Sequence, residues 1–225
     1  MMDVKIINVK KSILEDNDAD AEKLRSENLR TGTYYVNVMS SPGSGKTSIL
    51  LRTIAHLRKE LKIGVMEADI DSDVDAKTIA DTGIPAIQIH TGGMCHLDAQ
   101  MSRQGLRELG AEDLELVFLE NVGNLVCPAE FDTGAAKNVV ILSIPEGDDK
   151  PLKYPLMFQK AEVVLVNKID AMEVFDFDMR KFKDNVKRQN PLACIFPVSA
   201  KTGEGIEAWC DWLRQDVKLC MNGKR

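Results

Sequence analysis

The sequence predicts a doubly wound α/β domain with a mostly parallel sheet, and three observations carry that prediction. Short apolar strands alternate with helical stretches along most of the chain. The runs Val139 to Ile144 and Val163 to Val166 are almost uninterrupted apolar residues, as strands covered on both faces require. Between a β-branched and aromatic run, Thr33 to Val38, and a helical stripe lies Ser40-Ser41-Pro42-Gly43-Ser44-Gly45-Lys46-Thr47, the strand–turn–helix setting of a phosphate-cradling loop.

Residues 1–32 are charged with sparse apolar marks (Ile13, Leu14, Leu24, Leu29), which predicts a helical arm over Ser12 to Leu29, laid against the main domain or a partner. Residues 33–225 form the nucleotide-binding domain. After the first strand, Leu50, Ile54, Leu57 and Leu61 recur at helical spacing, predicting a helix over Ile49 to Lys59. Ile63 to Met66 reads as the second strand, followed by a carboxylate-rich loop and a helix from Ala76 to Asp81. Ile84 to Ile89 is the third strand, ending at Thr91-Gly92-Gly93, and a helix over Leu97 to Leu109 leads to the strand Leu114 to Leu119. Beyond the two apolar runs, helices are expected over Val174 to Gln189 and Gly205 to Leu219, separated by a short strand from Ala193 to Val198. In such a sheet ligands belong at the carboxyl ends of the strands.

Composition narrows the function. A chain of 225 residues, 44% hydrophobic, can bury one substantial core. No apolar run approaches the roughly 18–20 residues that span a bilayer, and no signal peptide opens the chain, so no membrane partner and a cytoplasmic location are expected. The net charge of −6 argues against nucleic acid, whose phosphates demand a basic surface. Five scattered cysteines do not form a disulfide framework; each reads as a buried hydrophobe or a metal ligand.

The loop chemistry is specific. Gly43 and Gly45 let backbone N–H groups approach phosphate oxygens, Ser44 and Ser48 flank them, and the helix N-terminus adds partial positive charge. Lys46 would reach the β- and γ-phosphates and the Thr47 hydroxyl would ligate Mg²⁺. Ser40 stands where the usual pattern has its first glycine. Val166 runs into Asn167-Lys168-Ile169-Asp170, whose carboxylate can accept two hydrogen bonds that guanine offers and adenine does not. Asn167 would orient the base and Lys168 cover it, while Ser199-Ala200-Lys201 reads either as the loop closing its other side or as a solvated turn. Mg²⁺ takes oxygen ligands; Thr47, Glu120 at the end of a strand, and Asp69 and Asp75 are the candidates, with Asp71 and Asp73 solvated. Lys46, Thr47, Asp69 and Glu120 are accordingly the expected catalytic group. Ser41 lacks the second lysine of deviant-Walker ATPases, which counts against that branch.

A second metal site is readable at Cys95, His96 and Cys127. Thiolate and imidazole suit Ni²⁺, Zn²⁺ or Cu rather than Mg²⁺. Cys127 lies seven residues beyond Glu120, in the segment that would respond to the γ-phosphate. Read from these residues alone, two buried thiols and a satisfied histidine are the favoured account. Three ligands leave a four-coordinate ion incomplete, and a two-fold dimer would double the set. His90 is a candidate to support that site.

Taken together, Ser40 to Thr47, Glu67-Ala-Asp-Ile-Asp71, Thr91-Gly-Gly-Met-Cys-His-Leu-Asp-Ala99, Glu120-Asn-Val-Gly-Asn-Leu-Val-Cys-Pro-Ala129 and Asn167 to Asp170 resemble the hydrogenase nickel-incorporation GTPases of the HypB family, among the SIMIBI-class P-loop GTPases. The resemblance covers about residues 33 to 220. It implies a GTP-hydrolysing, GTP-dependent homodimer that delivers nickel during [NiFe] hydrogenase maturation. It also implies Mg²⁺ with GTP or GDP, nickel or zinc on Cys95, His96 and Cys127, and two partners: a small zinc-containing nickel metallochaperone and the hydrogenase large-subunit precursor. The alternative is a urease-type or other accessory GTPase with structural cysteines.

Overall fold

The chain's alternation of apolar runs and helical stripes closes into a single parallel sheet with helices on both faces. The computed structural model describes residues 9–69 and 74–222. In chain order the main elements are α1 (Val9–Thr31), β1 (Tyr34–Ser40), α2 (Lys46–Leu57), β2 (Ile63–Asp69), α3 (Val74–Ala80), β3 (Ala86–His90), α4 (Ala99–Leu109) and β4 (Leu116–Glu120). There follow α5 (Cys127–Glu130), β5 (Lys137–Ser143), α6 (Lys150–Lys153), α7 (Pro155–Lys160), β6 (Val163–Asn167), α8 (Met179–Gln189), β7 (Cys194–Pro197) and α9 (Ile206–Asn222). Among the described residues the strands pair in the order β3-β2-β4-β1-β5-β6-β7, every pair parallel.

Both faces are covered, so the inner strands β4, β1 and β6 are buried throughout. All seven residues of β1 are buried. Its alternate side chains Tyr34, Val36 and Val38 join the core under α2, α3 and α9, with Ile54, Leu57 and Trp209. Tyr35 turns to the opposite face, beneath α1 and α4, with Leu24 and Leu106. On that same face Val140, Val164, Phe158 and Phe182 build the core under α7 and α8. The Trp209 indole Nε1 donates to Thr53 Oγ1 at 3.0 Å and ties α9 to α2; Trp209 and Trp212 stack on each other as part of the packing.

The N-terminal arm is the helix expected, two or three residues longer at each end, and it lies on the main domain. Ala21 and Leu24 are buried. Arg25 forms a two-pronged contact with Asp132 at 2.7 Å and donates to the Ala135 carbonyl. Asn17 bridges the Asp132 carbonyl and the Ala99 N–H.

Other boundaries moved for local reasons. The helix expected from Val174 begins only at Met179, because Asp178 caps it, accepting from the N–H groups of Arg180 and Lys181. Val174 and Phe175 are left exposed ahead of it. The short helices α5, α6 and α7 escaped periodicity, being four to six residues long with proline in the first turn, where a missing N–H costs nothing. The expected strands each shift by one to three residues.

Candidate functional site

The carboxyl ends of β1, β2, β4, β6 and β7 converge on one cleft. Gly43 and Gly45 hold the left-handed conformation, φ +74° and +97°. Gly45 has a second constraint: a Cβ there would meet the Asn167 Nδ2 at 2.5 Å. Asn167 Nδ2 donates to the Ser44 carbonyl at 2.9 Å and Lys168 Nζ to the Gly43 carbonyl at 2.7 Å, so the two motifs are tied together. Lys168 adopts φ +64°, unusual for a side-chain-bearing residue, and this turn carries Asp170 round to face Ser199. Ser199 Oγ donates to Asp170 Oδ1 at 2.6 Å, the Ala200 N–H donates to Asn167 Oδ1 at 3.1 Å, and Lys201 lies 3.8 Å from Asp170. The Ser199 hydrogen bond, first among several, holds the Asp170 carboxyl below its ordinary range.

Lys46 Nζ donates to Ser40 Oγ at 3.1 Å, and Thr47 Oγ1 to Glu120 Oε1 at 2.9 Å. Ser44 Oγ is buried without a partner and Ser48 is exposed on the first turn of α2. A cavity of about 300 Å³ opens beside Lys46, lined also by Pro42, Gly43, Asp69, Asp75, Glu120 and Gly123, and by Glu67. Glu67, Asp75 and Glu120 each offer an oxygen, all within 4.8 Å of one another, the one such group of three among the described residues. Asp69 lines the same cavity without joining that group, and Asp71 and Asp73 lie outside the described residues.

Glu67 is the residue that sequence reading did not single out. It stands in mid-strand, and only the register Glu67↔Glu120 between β2 and β4 brings it beside the others. Burial, then the neighbouring Glu120 carboxyl, pushes Glu67 far above the usual carboxylate range. Burial also raises Glu120, against the opposing pull of Lys46. Two buried carboxyls in contact cannot both ionise cheaply, so the pair retains a proton. Glu67 Oε2 and Glu120 Oε2 are buried without hydrogen-bond partners.

The thiols meet, but the histidine stands apart. Cys95 hydrogen-bonds Cys127, and this contact, more than burial, raises the Cys127 thiol. The His96 ring stacks on Phe131, centroids 3.7 Å apart, and its Nδ1 is buried without a partner. Burial lowers its pKa, keeping the imidazole neutral. The ligand atoms of Cys95, His96 and Cys127 do not all come within 4.8 Å of one another. His90, at the end of β3, is exposed. Met94 and Val126, neighbours of the two cysteines, are both about half exposed.

Residues 34–197 match the family model described as CobW/HypB/UreG, nucleotide-binding domain. The hydrogenase maturation factor HypB of Rhizobium leguminosarum bv. viciae is 49% identical over 213 residues, 95% of this chain and 71% of that protein. The chain belongs to the HypB family. Among other HypB proteins, the hydrogenase/urease maturation factor of Helicobacter pylori (strain ATCC 700392 / 26695) is 42% identical over 215 residues, 94% of this chain and 87% of that one. The crystal structure of HypB from Helicobacter pylori in complex with nickel superposes with a TM-score of 0.84 at 41% identity, covering 90% of this chain and 95% of that one. HypB from Archaeoglobus fulgidus gives the same score and identity, over 90% and 99%. The HypB fold is therefore that of this chain, a P-loop sheet flanked by helices.

Proposed function

We propose that the chain is a GTP-hydrolysing metallochaperone of hydrogenase maturation, loading nickel and releasing it in step with its nucleotide. The observation that carries this reading is one short segment. Glu120 is hydrogen-bonded to Thr47 of the phosphate loop, and seven residues later Cys127 meets Cys95.

The base is read by Asp170, which accepts from the guanine N1–H and exocyclic amine, while Asn167 fixes the phosphate loop to the base loop. Lys46 and the backbone N–H groups of Gly43 to Ser48 hold the phosphates. Thr47, Asp75 and Glu120 would hold Mg²⁺, Asp69 lying alongside: the donors are all oxygen, and Glu120 Oε2 is buried and unpaired. When bound, Mg²⁺ supplies positive charge against the phosphate oxygens. The neighbouring Glu67 keeps its proton and donates rather than repels.

Nickel is cargo. Cys95 and Cys127 supply thiolates, and neutral His96 supplies an imidazole once it leaves Phe131; zinc suits the same donors. Two such sets, brought together by a homodimer in the GTP state, would complete the coordination. Exposed Met94 and Val126 offer apolar surface for that pairing. The expected partners are a small zinc-containing nickel metallochaperone and the hydrogenase large-subunit precursor, in the cytoplasm, with no role for nucleic acid. No helix of the described residues is long and apolar enough to cross a membrane. The pairing of the thiols with each other also fits the second reading, an accessory GTPase of urease type with structural cysteines.

Nickel titration with and without a non-hydrolysable GTP analogue, with mass by light scattering, separates the two. Delivery requires stoichiometric nickel, an affinity that changes with nucleotide, and a dimer in the GTP state. Nickel binding that is absent, or indifferent to nucleotide, overturns it.

A further inference from the structure

We propose that Arg52 determines base specificity by aiming the backbone of the 199–202 loop, acting from the helix whose first turn cradles the phosphates. The proposal rests on the nucleotide reading above. Arg52 Nε donates to the Ala200 carbonyl at 2.8 Å and Nη2 to the Lys201 carbonyl at 3.0 Å. A guanidinium is a rigid planar fork, so it fixes two successive carbonyls together; a lysine ammonium has no such geometry.

Fixing a carbonyl fixes the N–H at the other end of the same planar peptide, pointing the opposite way. The Ala200 carbonyl shares its peptide with the Lys201 N–H, which therefore points away from Arg52. The Lys201 carbonyl shares its peptide with the Thr202 N–H, which donates to Ser199 Oγ at 3.1 Å. Ser199 in turn holds Asp170, and the Ala200 N–H meets Asn167. The loop thus turns the Ala200 and Thr202 N–H groups toward the base motif and the Ala200 and Lys201 carbonyls toward Arg52, while the Ser199 carbonyl closes the turn by accepting from the Gly203 N–H.

Guanine carries an acceptor at position 6 where adenine carries an amine donor. A backbone N–H aimed there satisfies guanine and opposes adenine. Asp170 reads a different edge, the N1–H and the 2-amine. Arg52 and Asp170 therefore set separable parts of specificity, one through the 6-oxo group and one through the 2-amine.

The loop's path does not depend on Arg52. Its far end is closed at Gly205 (φ +73°), where a Cβ would meet the Pro197 carbonyl oxygen at 2.1 Å. Helix α2 is held independently through Thr53 and Trp209. Loss of Arg52 frees the peptide planes while leaving the chain trace.

The test compares Arg52→Ala and Arg52→Lys with the parent protein for binding of GDP, IDP, 6-thio-GDP and ADP by competition. IDP keeps the 6-oxo group and lacks the 2-amine; 6-thio-GDP keeps the amine and replaces the oxygen with sulfur, a weak acceptor. Arg52→Ala is expected to weaken GDP and IDP by about tenfold each and 6-thio-GDP by less than about threefold, with Arg52→Lys intermediate. An equal loss for GDP, IDP and 6-thio-GDP, or no loss, overturns the proposal; if Arg52→Ala does not fold, the same ratios in Arg52→Lys decide it. A parent protein that does not prefer GDP to ADP fails at the earlier step, the guanine-nucleotide reading itself.

Discussion

The two ends of the nucleotide cleft are built on different terms. At the β6–β7 end, Asn167, Lys168, Asp170 and Ser199 are already hydrogen-bonded to one another or to the phosphate loop. At the β2–β4 end, Glu67 and Glu120 bring two buried carboxyls together, and each keeps one oxygen, Oε2, with no hydrogen-bond partner. A buried polar group left unpaired costs on the order of 1–3 kcal/mol. The base end is therefore a pre-formed template, whereas the phosphate end keeps buried carboxyl oxygens that a ligand can satisfy. Binding free energy released at the second end is available to shift structure, and the cysteine segment lies there.

Removing Cys95 and Cys127, the proposed nickel ligands, breaks the comparison most severely. Cys95→Ala with Cys127→Ala should cost at least about 10³-fold in nickel affinity, since thiolates dominate soft-metal binding. Equilibrium dialysis reads this, with nucleotide affinity as the internal control. Unchanged nickel stoichiometry would mean the thiols are structural.

The template end responds differently. Asp170→Asn exchanges an acceptor for a donor, so GTP affinity should fall by about 10²–10³-fold and XTP affinity should rise. Because Asn keeps an acceptor for Ser199, the loop itself should persist. Comparable loss of both nucleotides would show that Asp170 shapes the pocket without reading the base.

The phosphate end also makes a prediction about pH. Glu67 keeps its proton in the folded chain and loses it on unfolding, near the ordinary value of 4.5. Folding then takes up a proton, so without Mg²⁺ and nucleotide its contribution to stability falls as pH rises above about 5. Glu67→Gln, which keeps the neutral form at every pH, should flatten that slope and raise stability at pH 8 by about 1–2 kcal/mol. Denaturant midpoints at pH 6 and pH 8 measure it; parallel slopes for the two proteins would place the proton elsewhere.

The two ends also differed in how far the sequence disclosed them. Asn167 to Asp170 and Ser40 to Thr47 are contiguous, and each follows an apolar strand, so composition and spacing suffice to read them. Glu67 is a single carboxylate inside a buried strand, on the same face as the core residues Ile63 and Val65, and nothing in its neighbours marks it for a site. Its meaning comes from a register with Glu120, set by a sheet order in which β4 inserts between β1 and β2. No local pattern encodes that order. The stacking of His96 on Phe131 is likewise a contact across 35 positions, invisible to spacing. Asp69 and Asp75 were readable as a crowd of acids, but not which of them faces Glu120. Helices of one turn, such as α5 with Cys127 at its start, fall below what periodicity resolves.

The smallest effect expected sharpens what pre-formed means. Lys201 lies 3.8 Å from Asp170 but is 84% exposed, whereas the Ser199 hydroxyl is buried and 2.6 Å from the same carboxylate. An exposed ion pair contributes between zero and about 1 kcal/mol and is screened by salt. A short hydrogen bond to a carboxylate from a buried donor is worth more. Lys201→Ala should therefore change GDP affinity by less than about threefold, and that change should vanish at high salt. Ser199→Ala should cost about tenfold and persist in salt, because it also removes the acceptor for the Thr202 N–H. If the two substitutions cost the same and both fade with salt, charge rather than a fixed hydrogen-bond frame orders the base loop. The contrast between the two ends of the cleft would then be one of degree.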